Sequence, residues 1–189
     1  MKIWSILVFL FLSLSAFAAD TIEIVSSTTL RAGEYHQFQV LYHGAKGSVD
    51  VTNLASFSGV NWFRRGFGEF LVHPATFGTQ SVTVLSASYK VPGGELLTDS
   101  ITVNVDSTPY FLNIMGPFLV FRNSGAQFQA FAQYRDMRKD VTTECQWTSF
   151  YGMMTGYGYY RAPFNGGMMN DNVTCRYGSA IQMFSISIQ

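Results

Sequence analysis

The sequence predicts an all-β protein, two tandem β-sandwich modules behind an N-terminal export signal. Three observations carry this. Beyond residue 20 no segment sets apolar residues at i, i+3, i+4 and i+7, whereas apolar/polar alternation recurs along the chain. Aromatic residues form 16% of the composition, and valine, isoleucine, threonine and serine are common, which suits half-buried pleated strands. Two short words, Gln37-Phe38-Gln39 and Asp50-Val51-Thr52, return as Gln127-Phe128-Gln129 and Asp140-Val141-Thr142, both at a shift of ninety residues.

The elements follow in chain order. Residues 1–18 read as a secretory signal peptide: Lys2, an apolar run from Ile3 to Leu14, then Ala16-Phe17-Ala18 before a cut at Ala19. The run is too short to span a bilayer, so the mature chain is expected to have no membrane span. The first strand pattern sets Phe38, Val40 and Tyr42 on one face, with Gln37 and Gln39 opposite. Val82 with Val84, and Ile101 with Val103 and Val105, are expected to face inward in the same way. Asp106-Ser107-Thr108-Pro109 is the predicted hinge, because proline blocks continuation of the strand ending at Val105. It divides a module at 19–106 from one at 107–189. In the second, Phe128, Ala130, Ala132 and Tyr134 alternate, and Phe184, Ile186 and Ile188 close the chain.

The repeat runs through 32 ungapped positions, 37 to 68, with eight identities that include Gly66 and Gly68. Phe57 stands over Trp147, Phe67 over Tyr157 and Phe70 over Tyr160. One further residue of slip sets Ser81-Val82-Thr83-Val84 over Asn172-Val173-Thr174-Cys175. The repeated words read as scaffold. Phe38 and Phe128 point inward on an early core strand, and Asp-Val-Thr opens the next strand. Its Asp and Thr side chains bond the turn backbone while the valine plugs the sandwich end. A calcium role for Asp50 and Asp140 is set aside, since neither lies in a run of oxygen donors able to fill a hard cation's shell.

Asp140-Val141-Thr142, Trp147-Thr148-Ser149 and Tyr159-Tyr160-Arg161-Ala162-Pro163, followed by Asn172-Val173-Thr174, resemble the bacterial immunoglobulin-like domain, group 2. The first half carries Asp50-Val51-Thr52, with Phe57-Ser58 at the tryptophan position and Val72-His73-Pro74 in place of Ala-Pro. The resemblance covers about 80 residues of each half. It implies a module of the kind that often serves in surface adhesins, spacers and binding proteins. Cys145 and Cys175, the two cysteines, align with Ala55 and Val84, so both are expected to face the core. In an immunoglobulin-like sandwich their strands are neighbours in one sheet, and in an exported chain the pair is expected to form a disulfide.

Twelve basic and twelve acidic side chains balance, and no basic stripe exists to recruit nucleic acid. His36, His43 and His73 match no zinc spacing, and no catalytic or cofactor motif occurs; no cofactor, metal or catalytic residue is expected. Asn172-Val173-Thr174 spells a glycosylation sequon and reads better as strand. Two segments stand out for binding. One holds Trp62, Arg64 and Arg65; the other, ninety residues on, holds Tyr151, Met153, Tyr157 and Tyr159. Trp, Tyr, Met and Arg are enriched where proteins touch, and alternation cannot bury both Tyr159 and Tyr160, or both Met153 and Met154. Phe70 and Tyr160 are expected in the core. The expected role is an exported binding or spacer module of the bacterial envelope or surface, with a protein or envelope-glycan partner. The alternatives are a self-associating structural subunit of an envelope or appendage assembly, or a carbohydrate-binding accessory protein.

Overall fold

The computed structural model describes residues 19–59, 62–165 and 167–189; the signal-peptide reading of residues 1–18 lies outside them. The first half contributes β1 (Thr21–Val25), β2 (Thr29–Arg31), β3 (Tyr35–Gln37), β4 (Gln39–Gly44) and β5 (Gly47–Asp50). It continues with β6 (Ser56–Gly59), β7 (Trp62–Arg64), β8 (Glu69–Val72), β9 (Ser81–Lys90) and β10 (Leu96–Asp106). The second half contributes β11 (Phe111–Met115), β12 (Leu119–Val120), β13 (Gly125–Gln127), β14 (Gln129–Gln133) and β15 (Arg138–Asp140). Then come β16 (Gln146–Ser149), β17 (Met153–Met154), β18 (Tyr159–Arg161), β19 (Met169–Tyr177) and β20 (Ala180–Ile188). Among the described residues the only helical element is a 3-10 turn at Thr76–Gly78.

The strand orders of the two halves correspond one to one. Sheet β1-β4-β5 answers to β11-β14-β15, β2-β10-β9-β6 to β12-β20-β19-β16, and β3-β8-β7 to β13-β18-β17. Ile22, Ile24 and Val40 from one sheet meet Leu85, Ala87, Val103 and Val105 from the other, and Phe70 and Val72 of β8 close one end. In the second half Leu112, Ile114, Phe128 and Ala130 meet Val173, Cys175, Ile186 and Ile188, closed by Tyr160. This is the immunoglobulin-like all-β sandwich, in tandem.

The repeated words do more specific work than alternation assigns them. Gln37 ends β3, which pairs with β8, and Gln39 begins β4, which pairs with β1. The strand therefore changes sheets at Phe38, whose fully buried ring sits between Trp62 and Phe70. The crossing is pinned by Phe38 N–H donating to Gly68 O and Gln37 Nε2 to Phe67 O, both at 2.8 Å. Phe128, Gly158, Gln127 and Tyr157 repeat those bonds. Gly68 and Gly158 hold φ of +69° and +74°, and a Cβ on either would strike the carbonyl of Phe38 or Phe128. Asp-Val-Thr closes a strand, contrary to the expectation that it opens one: β5 ends at Asp50 and β15 at Asp140. Asp50 and Asp140 each accept the N–H of the threonine two residues on, at 2.9 Å. The threonine hydroxyls accept Val40 N–H and Ala130 N–H. A carboxylate can end a strand because it replaces the ladder partner the backbone loses there. Val51 and Val141 are buried as expected.

Cys145 and Cys175 are buried and joined by a disulfide. Their strands are neighbours: β16 pairs with β19, Trp147 standing opposite Cys175. The alignment needs one correction. Val82 and Val84 face solvent, and the inward parity of β9 is Leu85, Ala87 and Tyr89. Phe57 stands opposite Ala87 as Trp147 does opposite Cys175, so Ala87 is the counterpart of Cys175, and Tyr89 that of Tyr177.

The halves meet in a polar joint. Ala75 N–H donates to Oγ of the hinge residue Ser107 at 2.9 Å, buried Tyr134 donates to Ser107 O at 3.0 Å, and Tyr177 donates to Ala75 O at 3.2 Å. Asp136 N–H donates to Gly33 O, Tyr110 to Glu34 Oε1 and Phe77 N–H to Glu144 Oε2, at 2.7–2.8 Å. Lys139 is paired to Glu144 at 2.8 Å and also reaches Tyr177. Burial disfavours its charge, but Glu144 and Tyr177 outweigh that and hold the Lys139 pKa above its ordinary value. Gly33 has φ +70°, and Tyr134 lies so close that a Cβ there would collide with it.

Candidate functional site

The sheet β13-β18-β17 builds the end of the second half that lies away from the joint. Tyr160 on β18 points inward and is fully buried, while its neighbours Tyr159 and Arg161 point out. Met153 pairs with Arg161 across β17, and Gln127 with Tyr159 across β13. The hydroxyl end of Tyr159 lies against Gly125, where a Cβ would collide with it. Tyr157, at the turn pinned by Gln127, is exposed.

The connection between β16 and β17 is organised by one buried carboxylate, Asp171 on β19, 1% exposed. Its Oδ1 accepts the N–H groups of Phe150 (2.9 Å), Tyr151 (3.1 Å) and Asn172 (2.7 Å). Its Oδ2 accepts Gly152 N–H (2.9 Å) and the Tyr160 hydroxyl (2.8 Å). Ser149 Oγ donates to Gly152 O and tightens the turn. Burial alone would raise the Asp171 carboxyl, but the bonds from Gly152, Tyr160, Tyr151 and Phe150 prevail and hold it below the ordinary carboxylate range. The Tyr160 hydroxyl is pushed up, first by burial and then by its bond to Asp171. Asp171 thus fixes three consecutive N–H groups and turns the side chains of Phe150 and Tyr151 outward, their rings edge to face at 4.7 Å.

Phe150, Tyr151, Met153, Tyr157, Tyr159, Phe164 and Met168 are all exposed. A groove of about 340 Å³ runs among Asn123, Tyr151, Met153, Arg161, Pro163 and Phe164. It offers rings, a thioether and one guanidinium. Among the described residues no group of three or more metal-ligating side chains stands together.

Tyr151, Met153, Tyr157 and Tyr159 are therefore brought to one end of the second half. Trp62 and Arg64 lie on β7 of the corresponding sheet of the first half with Arg65 just beyond it, and no hydrogen bond or ring contact among the described residues joins the two groups. Trp62 packs edge-on against Phe38 and Phe70 and serves the core. Arg64 lies over Phe57 at 5.7 Å, and Arg65 over Tyr35 at 4.8 Å with Glu69 beside it. Sequence reasoning missed Phe150, Phe164 and above all Asp171. A signal for Asp171 existed: an acid on the inward parity it shares with Val173, Cys175 and Tyr177.

No family model matches the chain, and no curated protein matches it. Solved structures align over most of its length. The Escherichia coli adhesin FdeC superposes with a TM-score of 0.33 at 11% identity, covering 90% of this chain and 64% of that one. Human CDH23 EC21-23 gives 0.38 at 8%, covering 90% and 64%, and Drosophila OTK extracellular domains 3-5 gives 0.32 at 8%, covering 89% and 61%. The chain thus spans under two thirds of the length of these structures. Superpositions this loose say nothing about function.

Proposed function

We propose that this chain is an exported, non-catalytic binding module of the bacterial envelope or cell surface. It consists of two immunoglobulin-like modules of the group 2 kind, 19–106 and 107–189, behind a cleaved signal at 1–18. Its contact surface is the aromatic and methionine end of the second module, and its partner is a protein. The observation that supports this most is the ordered exposure of Phe150, Tyr151 and Met153 around a buried carboxylate. Large apolar side chains held at fixed positions in water mark an interface, since a solvated loop gains nothing from them. The disulfide supports an oxidising compartment, periplasmic or extracellular.

The test is retention of the mature chain on envelopes of the producing cell. Tyr157→Ala with Tyr159→Ala, and Phe150→Ala with Met153→Ala, should each lower retention about tenfold or more with melting unchanged. Equal retention by both variants refutes the assignment. A parallel arm with purified cell-wall glycan decides between protein and sugar, and retention on glycan alone rules out the protein partner. Mass spectrometry of the exported chain reads the cleavage, expected before Ala19.

A further inference from the structure

Trp62 on β7 carries a buried donor with no acceptor. Its ring packs edge-on against Phe38 at 5.3 Å and Phe70 at 6.2 Å, and its indole Nε1 is closed off from water. Among the described residues, Nε1 is the buried side-chain polar atom left without a hydrogen-bond partner. A donor in that position loses its bond to water and gains nothing, so its presence calls for an acceptor that the chain does not supply. Trp147, the other tryptophan beyond residue 18, is satisfied: its Nε1–H donates to Thr142 O at 2.8 Å.

The indole borders a cavity of about 140 Å³. Buried Phe70 and Leu85, half-buried Phe57 and Trp62, and exposed Gly59 and Arg64 line it. Gly59 stands against the orphan donor: a Cβ there would come within 2.8 Å of Nε1, so glycine keeps that space open. The Arg64 guanidinium lies over the Phe57 ring at 5.7 Å and is held by its Nε–H bond to Gly66 O at 3.1 Å. Its terminal nitrogens remain free to donate. No carboxylate among the described residues pairs with Arg64, whereas Arg65 has Glu69 beside it. Aromatic walls, one buried N–H and one uncompensated cation suit a small anion with an apolar tail.

The second module shows what satisfies a buried donor at this end of the fold. There Tyr160, the counterpart of Phe70, donates to Asp171 Oδ2 at 2.8 Å. Ala87 answers to Cys175, so Thr83 answers to Asp171, the residue four before each. The first module thus has an alcohol where the second has a carboxylate. It also has Arg64 where the second has Met154, a cation in place of a thioether. Donor and cation are present in the first module and the carboxylate is not.

We infer that the first module binds a short aliphatic carboxylate in this cavity. The alkyl chain lies among Phe57, Trp62 and Phe70, and the carboxylate accepts from Trp62 Nε1–H and from Arg64. A free short-chain acid and the C-terminal residue of a peptide present this same group. The site lies in the first module and goes beyond the contact surface proposed for the second, on which it does not depend.

Proton–nitrogen correlation spectra of the mature chain, titrated with butyrate, test it. Trp62 and Trp147 give the two indole signals, and Trp62→Phe assigns them. The Trp62 signal should move and saturate with a Kd of about 1 mM, while that of Trp147, bonded to Thr142, stays fixed. Arg64→Gln, an exposed change with melting unchanged, should weaken butyrate about tenfold or more. Butyramide, of the same length without the charge, should bind more weakly by a similar factor. A short peptide ending in valine, with a free carboxylate or as its amide, separates the sources. Movement with the free-ended peptide assigns a peptide terminus, and movement with butyrate alone assigns a free acid; either bears out the site. A Trp62 signal that neither probe moves overturns the inference and leaves Nε1 to a captive water. Equal binding of butyrate and butyramide, or equal binding by Arg64→Gln, overturns it as well. Envelope retention of the second-module variants reads the other surface and is independent of all these outcomes.

Discussion

Replacing Asp171 tests the device that holds the candidate surface in place. Asp171→Ala removes the acceptor of five hydrogen bonds, four of them from backbone N–H groups. The N–H groups of Phe150, Tyr151 and Gly152 lie in a connection that water can reach, so each net loss is about 1 kcal/mol. The Tyr160 hydroxyl is buried and would keep no partner, which adds about 1–3 kcal/mol. The sum is about 4–6 kcal/mol, overlapping the range found when one member of a buried charged cluster is removed. Asp171→Asn discriminates better. Its amide oxygen can hold the Phe150, Tyr151 and Asn172 side, but its NH₂ then faces the Gly152 N–H, and only the Tyr160 hydroxyl can rotate to accept. One bond is lost and two donors are opposed, about 2 kcal/mol.

For a module of this size 1 kcal/mol shifts melting by about 4–8 °C, so Asp171→Asn should lower the second transition by about 10 °C. Calorimetry on the oxidised mature chain reads it. Amide exchange at Phe150, Tyr151 and Gly152 should quicken in the same variant. The folded-state pKa of Asp171 is depressed, so its stabilisation is present above the ordinary carboxyl value of 3.8 and disappears as pH falls below it. The gap in melting between wild type and Asp171→Asn should therefore narrow in acid. Melting within about 2 °C of wild type at neutral pH, or a gap that stays constant into acid, refutes the role given to this carboxylate.

Opening the Cys145–Cys175 bridge, which closes a separation of 30 residues, should cost about 3–4 kcal/mol in the chain-entropy account; thiol titration of the unreduced, denatured chain should find no free thiol. Gly158→Ala should destabilise by about 2 kcal/mol or more, measured by urea unfolding, because the methyl strikes the Phe128 carbonyl at a positive φ; Gly156→Ala, with open space at its Cβ, is the control. Asp140→Ala frees the Thr142 N–H and should lower stability by about 1 kcal/mol, read by thermal melting, while leaving partner binding intact.

The sandwich was readable wherever one strand parity is uniformly apolar. Phe128, Ala130, Ala132 and Tyr134 are all buried, and Ile186 and Ile188 follow the same pattern. It failed at β9, where Val82 and Val84 hold one parity and Leu85, Ala87 and Tyr89 the other. Strand propensity favours valine on either face, so it could not tell which was wet. The run from Phe70 to Leu85 is also two residues longer than that from Tyr160 to Val173, which displaced the alignment of Cys175. Asp171 was hidden for another reason. Its partners are chiefly backbone N–H groups some twenty residues earlier, and a donor of that kind has no letter in a sequence.

The repeat proves most informative where its copies disagree over one backbone. Gly68 and Gly158 agree because a carbonyl sits where any Cβ would go. Gly33 and Asn123 share the left-handed conformation and yet differ, and the difference has a cause. Glycine is required at 33 because Tyr134 fills the space above it, while asparagine, which tolerates this region better than most residues, lines an open groove at 123.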